Sequence, residues 1–441
     1  MKKMKITRLT NYLLALSVII FSGCSKEDNT PPSNIDCNGV ENGTSMLDDC
    51  QNCQQAYIYN VVTHSVTLLD DTSDVVLGGP TDMLIMPNDP MNPYWNQGCI
   101  VAPATYEFSY QGQNTVAYPG QTTRLMMAKQ LTDALKNGTH TLTQLQQMWT
   151  TGTGFANGID NPDKILRSKT SASPTASSTV QVQLDDLLIN YSDEVLANWN
   201  NNASSGVPGA FTTASQGRTV YINAKGMEID QCFAKALIGA LCHDQAVNKY
   251  LSVSAVSADN SLRDPLVNSN STTMEHKWDE GFGYVYGMVA NNTTGDLSSD
   301  NLLGKYLNKY ADKAAVVFDA FKLGRAAISH SSPDYAIRDN QTNTIKNELS
   351  NVIALKAIGY LQGAHDLRLD ENGNMVDCSA DYFHDLSEGW GFILSLQYTD
   401  WYTNSEVNTM LSDLEAGNGF WDRTPAELEA MINAIKAKTG L

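Results

Sequence analysis

Two stretches of the chain obey one formula, and that repetition limits the folds open to it. Residues 276–285 read His-Lys-Trp-Asp-Glu-Gly-Phe-Gly-Tyr-Val, and residues 384–393 read His-Asp-Leu-Ser-Glu-Gly-Trp-Gly-Phe-Ile. In each, His is followed after three residues by Glu, then Gly, an aromatic, Gly, an aromatic and an aliphatic. The preceding segments match as well. A helical pattern ending at Tyr250-Leu251 leads into the first motif, and one ending at Tyr360-Leu361 leads into the second, each across a polar loop. A helical unit used twice is expected, with the two motif helices near one another about a pseudo-twofold axis.

On a helix, residues four apart share a face. His276 and Glu280 therefore point the same way, and Gly283 and Gly287 continue their stripe. His384 and Glu388 do the same, continued by Gly391 and Ser395. An interior helical Gly costs about 1 kcal/mol against Ala, so something must offset each one. Either another backbone approaches closely, or a bound group needs the space. If the two helices face each other, His276, Glu280, His384 and Glu388 form a two-nitrogen, two-oxygen set that suits iron, zinc or manganese. Asp279 is a possible additional ligand. The bland alternative is that each His hydrogen-bonds its Glu inside the core and nothing binds.

The rest of the chain after Gly120 is helical in pattern. Apolar residues recur at three- and four-residue spacing over 121–137, 142–150, 182–201, 228–251, 273–289, 300–329, 338–363, 382–397, 404–415 and 424–438. Thr424, Pro425 and Glu427 read as a capping box. The runs 169–179 and 252–271 read as exposed loops, and 367–376 as a hairpin around Asn372-Gly373. His243 reads as a satisfied helix histidine, and Arg325, Arg338 and Asp339 as ion pairs fixing a loop. No Gly-x-Ser-x-Gly elbow, His-Glu-x-x-His or Walker loop occurs. The fold class expected is mainly α: a helical bundle of two pseudo-repeated units, near 228–290 and 338–397, within a helical domain over 101–441. A short irregular or β-rich segment precedes it, with Ala56–Leu69 able to pair as strands.

The N-terminus carries an address. Lys2, Lys3, Lys5 and Arg8 precede the apolar run Tyr12–Phe21, too short to span a bilayer comfortably. Phe21-Ser-Gly-Cys24 resembles a lipobox, with Phe where Leu is usual. Residues 1–24 are expected to be a lipoprotein signal peptide, with lipidation at Cys24 anchoring the mature chain to the membrane. Ser25–Asn29 resembles a surface-export tag, which implies an outer-membrane lipoprotein exposed at the cell surface. Residues 25–100 are a tether and Cys-rich segment. Cys37, Cys50 and Cys53 lie among Gly, Asn and Asp without zinc-spaced histidines, so a small disulfide-stapled knob is expected. Cys232 and Cys242 stand about 15 Å apart along one helix and cannot bridge each other.

The chain carries 29 basic and 48 acidic residues, a net charge of −19. That excess of acid argues against nucleic-acid binding, which needs basic surface to neutralise phosphate.

The motif runs 273–284 and 384–396, with Gly324-Arg-Ala-Ala-Ile328, Gly120-Gln-Thr-Thr-Arg124 and Arg338-Asp339, resemble an uncharacterised family of Bacteroidetes lipoproteins over roughly residues 103–439. That family is distantly similar to the imelysin-like proteins, which are helical double bundles linked to iron uptake. Their signature has Glu three residues after His, whereas here the gap is four. The first expectation is a lipid-anchored surface protein that captures a metal, such as iron, or a metal complex through the paired helices. A metal-dependent hydrolase using the same residues, with Asp279 as base, is the second. A structural or glycan-related surface module is the third. The lack of a nucleophile or base motif places the enzyme reading below the others.

Overall fold

The computed structural model describes residues 35–441 except 49, 74, 94, 96–99, 214–216 and 264–269. The signal peptide, the lipidation site Cys24 and the export tag lie outside the described residues. The chain divides into two units, residues 1–99 and 100–441.

The first unit is built from short antiparallel strands. β1 (Met46–Leu47) pairs with β2 (Cys53–Gln54), and β3 (Ala56–Asn60) is flanked by β4 (Val66–Leu69) and β5 (Asp82–Ile85). The expected hairpin within 56–69 is β3–β4, in register from Ala56–Leu69 to Tyr59–Val66. Too small to bury much, this unit is stapled. Cys37 bonds to Cys53, and Cys50 is also disulfide-bonded, so the two cysteines of the Cys-x-x-Cys do not close on each other. Asp36 and Asp48 take the place of a core. The Asp36 carboxylate accepts the N–H groups of Asn38, Val40 and Ser45, and Asp48 those of Cys50 and Asn52.

The second unit is mainly α. It opens with the small ribbon β6 (Ser109–Tyr110) and β7 (Gln113–Asn114), and a second ribbon, β8 (Gly209–Thr212) with β9 (Thr219–Ile222), interrupts the helices. The helices are α1 (Pro119–Lys136), α2 (Leu142–Thr151), α3 (Thr179–Asn190), α4 (Ile229–Leu237), α5 (Val253–Val256), α6 (Thr273–Tyr286), α7 (Leu303–Leu307), α8 (Ala311–Ser329), α9 (Tyr335–Asp366), α10 (Ala380–Ser395), α11 (Asn404–Glu415) and α12 (Pro425–Thr439). Four of them start on full capping boxes: Thr141/Gln144, Thr272/Glu275, Thr403/Glu406 and Thr424/Glu427. Among the described residues no helix is long and apolar enough to cross a membrane.

The centre of the unit is α4 together with its continuation, which runs on as a π-helix from Ile238 to Tyr250. Every residue from Gly226 to Val247 is buried. A helix closed off all round has to be the core of the assembly. Both motif helices pack on it, α10 chiefly along α4 and α6 along the π-helical part. The sequence placed the two motif helices near one another, and this shared keel is what each packs on.

The glycines explain why. A Cβ at Gly391 would lie 2.5 Å from the Lys235 Cβ and 2.8 Å from the Ala236 nitrogen. One at Gly281 would stand 3.4 Å from the Ala246 carbonyl oxygen. The small residues let backbones meet, and the packing gained offsets their propensity cost.

Residues 169–179, expected to be an exposed loop, are partly buried. Asp244 of the π-helix accepts the N–H groups of Ala172 and Ser173 and the Ser173 hydroxyl, and so holds the loop down. The 367–376 hairpin forms, with Leu369 bridged to Met375 and Gly373 at φ +79°.

Candidate functional site

Each motif helix carries its Glu toward a crossing helix, and each Glu also receives a tyrosine from the helix before it, Tyr250 at the end of the π-helix and Tyr360 within the last turns of α9. In the first half, Glu280 accepts from Gln121 of α1 at 3.1 Å and from Lys277 at 2.9 Å. Tyr250 hydrogen-bonds the same carboxylate. Gly283 lets α1 in, since a Cβ there would fall 2.6 Å from the Tyr118 Cβ and 3.0 Å from the Gln121 Cβ. The His276 Nε2 stands 4.0 Å from Glu280, and its buried Nδ1 has no hydrogen-bond partner.

In the second half, Glu388 pairs with Lys235 of α4 at 2.6 Å and faces the His384 Nε2 at 3.5 Å. Tyr360 hydrogen-bonds Glu388, as Tyr250 does Glu280. Gly391 lets α4 in as Gly283 lets in α1. The His384 Nδ1 lies 2.7 Å from Glu228.

The two halves differ in charge. Glu388 and Lys235 are 9% and 7% exposed, a nearly sealed pair. Burial alone would raise the Glu388 carboxyl, but the Lys235 charge and the Lys235 and Tyr360 hydrogen bonds outweigh it and hold it below the usual range. Lys235 also donates to Gln231, which donates to Asp230. Burial and the neighbouring Glu228 charge push the Asp230 carboxyl up to about 7. Burial opposes protonation of His384, yet the hydrogen bond and charge of Glu228, with the charge of Glu388, raise its pKa. The Lys356 amine lies 5.3–5.9 Å from the ring centroids of Tyr306, Tyr310 and Tyr360, within cation–π reach.

Asp279, expected as an additional ligand or base, turns the other way. It is fully buried, accepts from the Tyr106 hydroxyl at 2.7 Å and pairs with the Arg325 Nε at 2.9 Å. Arg325, also fully buried, reaches Glu275 at 3.0 Å. Burial would raise Glu275, but the Arg325 charge, an Arg263 hydrogen bond and its role in the capping box bring its carboxyl down to about 2. This network fastens α8 to α6 and leaves Asp279 no route to solvent. Ser387, at the matching place in α10, accepts the Glu228 N–H and fixes the start of α4.

The structure therefore gathers each His–Glu pair with its own tyrosine and its own crossing helix. Among the described residues, no group of three or more His, Cys, Asp or Glu is placed to hold a metal ion. The lining cations Lys235 and Arg124 were missed in the sequence. Lys235 is the one basic residue of the buried run Ile229–Leu241, whereas Arg124 shares its helix with Lys129 and carries no spacing that marks it.

Of the other residues singled out, His243 is fully buried. It shares a 3.2 Å hydrogen bond with Ser350, and burial depresses its pKa to about 3. Arg338 pairs with Asp339 at 2.7 Å and donates to the Val256 carbonyl, tying α9 to the end of α5. Cys232, Cys242 and Cys378 are free thiols.

The family model described as Domain of unknown function (DUF4856) matches residues 103–441. No curated protein and no solved structure matches, so nothing in these comparisons carries the likeness to imelysin-like proteins.

Proposed function

The chain belongs to the DUF4856 family, and we propose that this member is a lipid-anchored binding protein of the cell surface whose two His–Glu helices each form one wall of a ligand site. The observation that carries the reading is that one arrangement is built twice and lined differently each time. His, Glu, a tyrosine on the Glu and a glycine-seated crossing helix recur in both halves. A pair needed only for packing would be expected to close off equally in both. Here Glu280, His276 and His384 keep 14%, 23% and 19% of their side-chain surface. The anchor is supported by the basic n-region, the short apolar run and Cys24.

Metal capture is a second reading, favoured by the unpartnered Nδ1 of His276 beside Glu280. A hydrolytic role has less support, because Asp279 is held by Arg325 and Tyr106.

Calorimetric titration of the full chain with Fe²⁺, Zn²⁺, phosphate and sulfate tests the reading. Saturable binding that Glu280→Gln or Glu388→Gln alters is expected. No saturable binding of any probe would contradict it. Release of surface label on Cys24→Ala substitution checks the anchor.

A further inference from the structure

The first half contains a buried cation with no counter-ion. Arg124 is 5% exposed. Its guanidinium makes one long hydrogen bond, from Nη1 to the Gly120 carbonyl at 3.4 Å, and its Nε has no partner. No carboxylate stands at ion-pair distance from it among the described residues. A buried unpaired charge is costly, and native chains normally pair it.

More cations crowd the same place. A Cβ at Gly120 would lie 3.3 Å from the Lys164 amine and 3.6 Å from the Arg124 Nη1, so both charges flank one backbone position. Lys169 is half-buried. Burial, then the charges of Arg124, Lys249 and Lys277, depress its pKa, and only Glu280 opposes them. Lys164, Lys169 and Lys249 have no carboxylate partner among the described residues. Glu280 is already engaged by Gln121 and Lys277. The Arg124 guanidinium points back to the start of α1, where Tyr118 gives no side-chain cap. Helix N-termini favour anions.

We propose that the Glu280 half holds an oxyanion, a phosphate or sulfate group either free or carried on a sugar, between the Arg124 guanidinium and the amines of Lys164, Lys169 and Lys249. This rests on the binding-protein reading and names the ligand class of one of its two sites. Lysines gather in the Glu388 half as well, where burial and the charges of their neighbours depress the pKa values of Lys305 and Lys356, but its most buried cation is paired. There Lys235 is taken by Glu388, and Glu228 and Asp230 stand close by. Arg suits a tetrahedral oxyanion through its planar fork, with lysines adding point charges.

The test is calorimetry at low ionic strength on the full chain, purified without phosphate or sulfate. The probes are sodium sulfate, sodium phosphate and a sulfated disaccharide. Saturable binding of at least one is expected, weakened about tenfold or more in Arg124→Met and less in Lys169→Gln, but unchanged in Lys438→Gln, whose amine pairs with Glu406 away from both motif helices. A urea melt of each variant shows that it is folded, and the half-exposed Lys169→Gln keeps the test decisive if Arg124→Met does not fold. Tighter binding of the disaccharide than of the free ions identifies a sugar-borne group, and equal or weaker binding identifies the free ion; either supports the site. No saturable binding of all three probes, or binding that Arg124→Met and Lys169→Gln leave unchanged, overturns it. Uptake of Fe²⁺ or Zn²⁺ without any oxyanion binding would overturn the oxyanion site alone and leave the binding-protein reading standing.

Discussion

Glu280 and Glu388 occupy equivalent places in two copies of one unit, yet they live in different electrostatic surroundings. Glu388 is neutralised within the fold by Lys235, 2.6 Å away and almost sealed from water. Glu280 is met by a neutral Gln121 and by the half-exposed Lys277, while Arg124, one turn along α1 from Gln121, has no carboxylate partner. The scaffold was copied with its helix crossings, glycines and tyrosine; the charges facing it were not. Close packing restricts the small residues, because a methyl group at Gly391 meets backbone. The crossing helix is free to change which head group it presents. One half has closed its buried cation into an ion pair, and the other keeps its buried cation, Arg124, without a carboxylate partner.

The largest effect that could break this contrast is on stability. Lys235→Met strands a buried carboxylate and is expected to cost about 3–5 kcal/mol, whereas Lys235→Met with Glu388→Met should recover most of it; urea melts of the two decide. A cost for the single variant no larger than that for Lys277→Ala would erase the distinction.

Acid should strike the first half at about the same scale. The Glu275 carboxyl lies at about 2 against 4.5 when unfolded, so its contribution is full above 4.5 and lost as pH falls toward 2. That shift corresponds to roughly 3 kcal/mol. Alkali should act on the second half. The raised His384 contributes fully below 6.5 and loses its share as pH climbs through its folded value. Asp230, held at about 7 against 3.8, removes stability between those values as pH rises. Melting profiles of Glu275→Gln and His384→Ala across pH should flatten the acid and alkaline arms respectively; interchanged effects would refute the assignment.

Smaller effects follow from the glycines. Gly391→Ala places a methyl group on backbone atoms of α4 and is expected to cost about 1–3 kcal/mol. Gly283→Ala meets the Cβ atoms of Tyr118 and Gln121 at the start of α1 and should cost less. Lys277→Ala, 37% exposed, should cost under about 1 kcal/mol.

Much of the architecture was legible. The ten helical stretches read from apolar spacing correspond to helices, because three- and four-residue stripes must be buried somewhere. The range 300–329 breaks at Asn308–Tyr310, and 228–251 changes to π-helix at Ile238. Neither change has a mark in the periodicity, since tertiary contacts decide them. The His–Glu pairing within each helix was legible for the same reason the stripes were. Which helix crosses each pair was not. α1 and α4 lie far from the motifs in sequence, so Arg124 was legible only as part of the Gly120–Arg124 run and Lys235 carried no mark. For Asp279, helical spacing gives a direction but not the Arg325 waiting there.

The contrast between the halves is tested most directly by the imidazole signals of His276 and His384, observed by NMR while sulfate is added at constant ionic strength. His276, beside Glu280 and the unpaired cations, is expected to shift saturably with sulfate, while His384, held between Glu228 and Glu388, should not move. A saturable shift at His384 with none at His276 would contradict the division of charge between the two repeats.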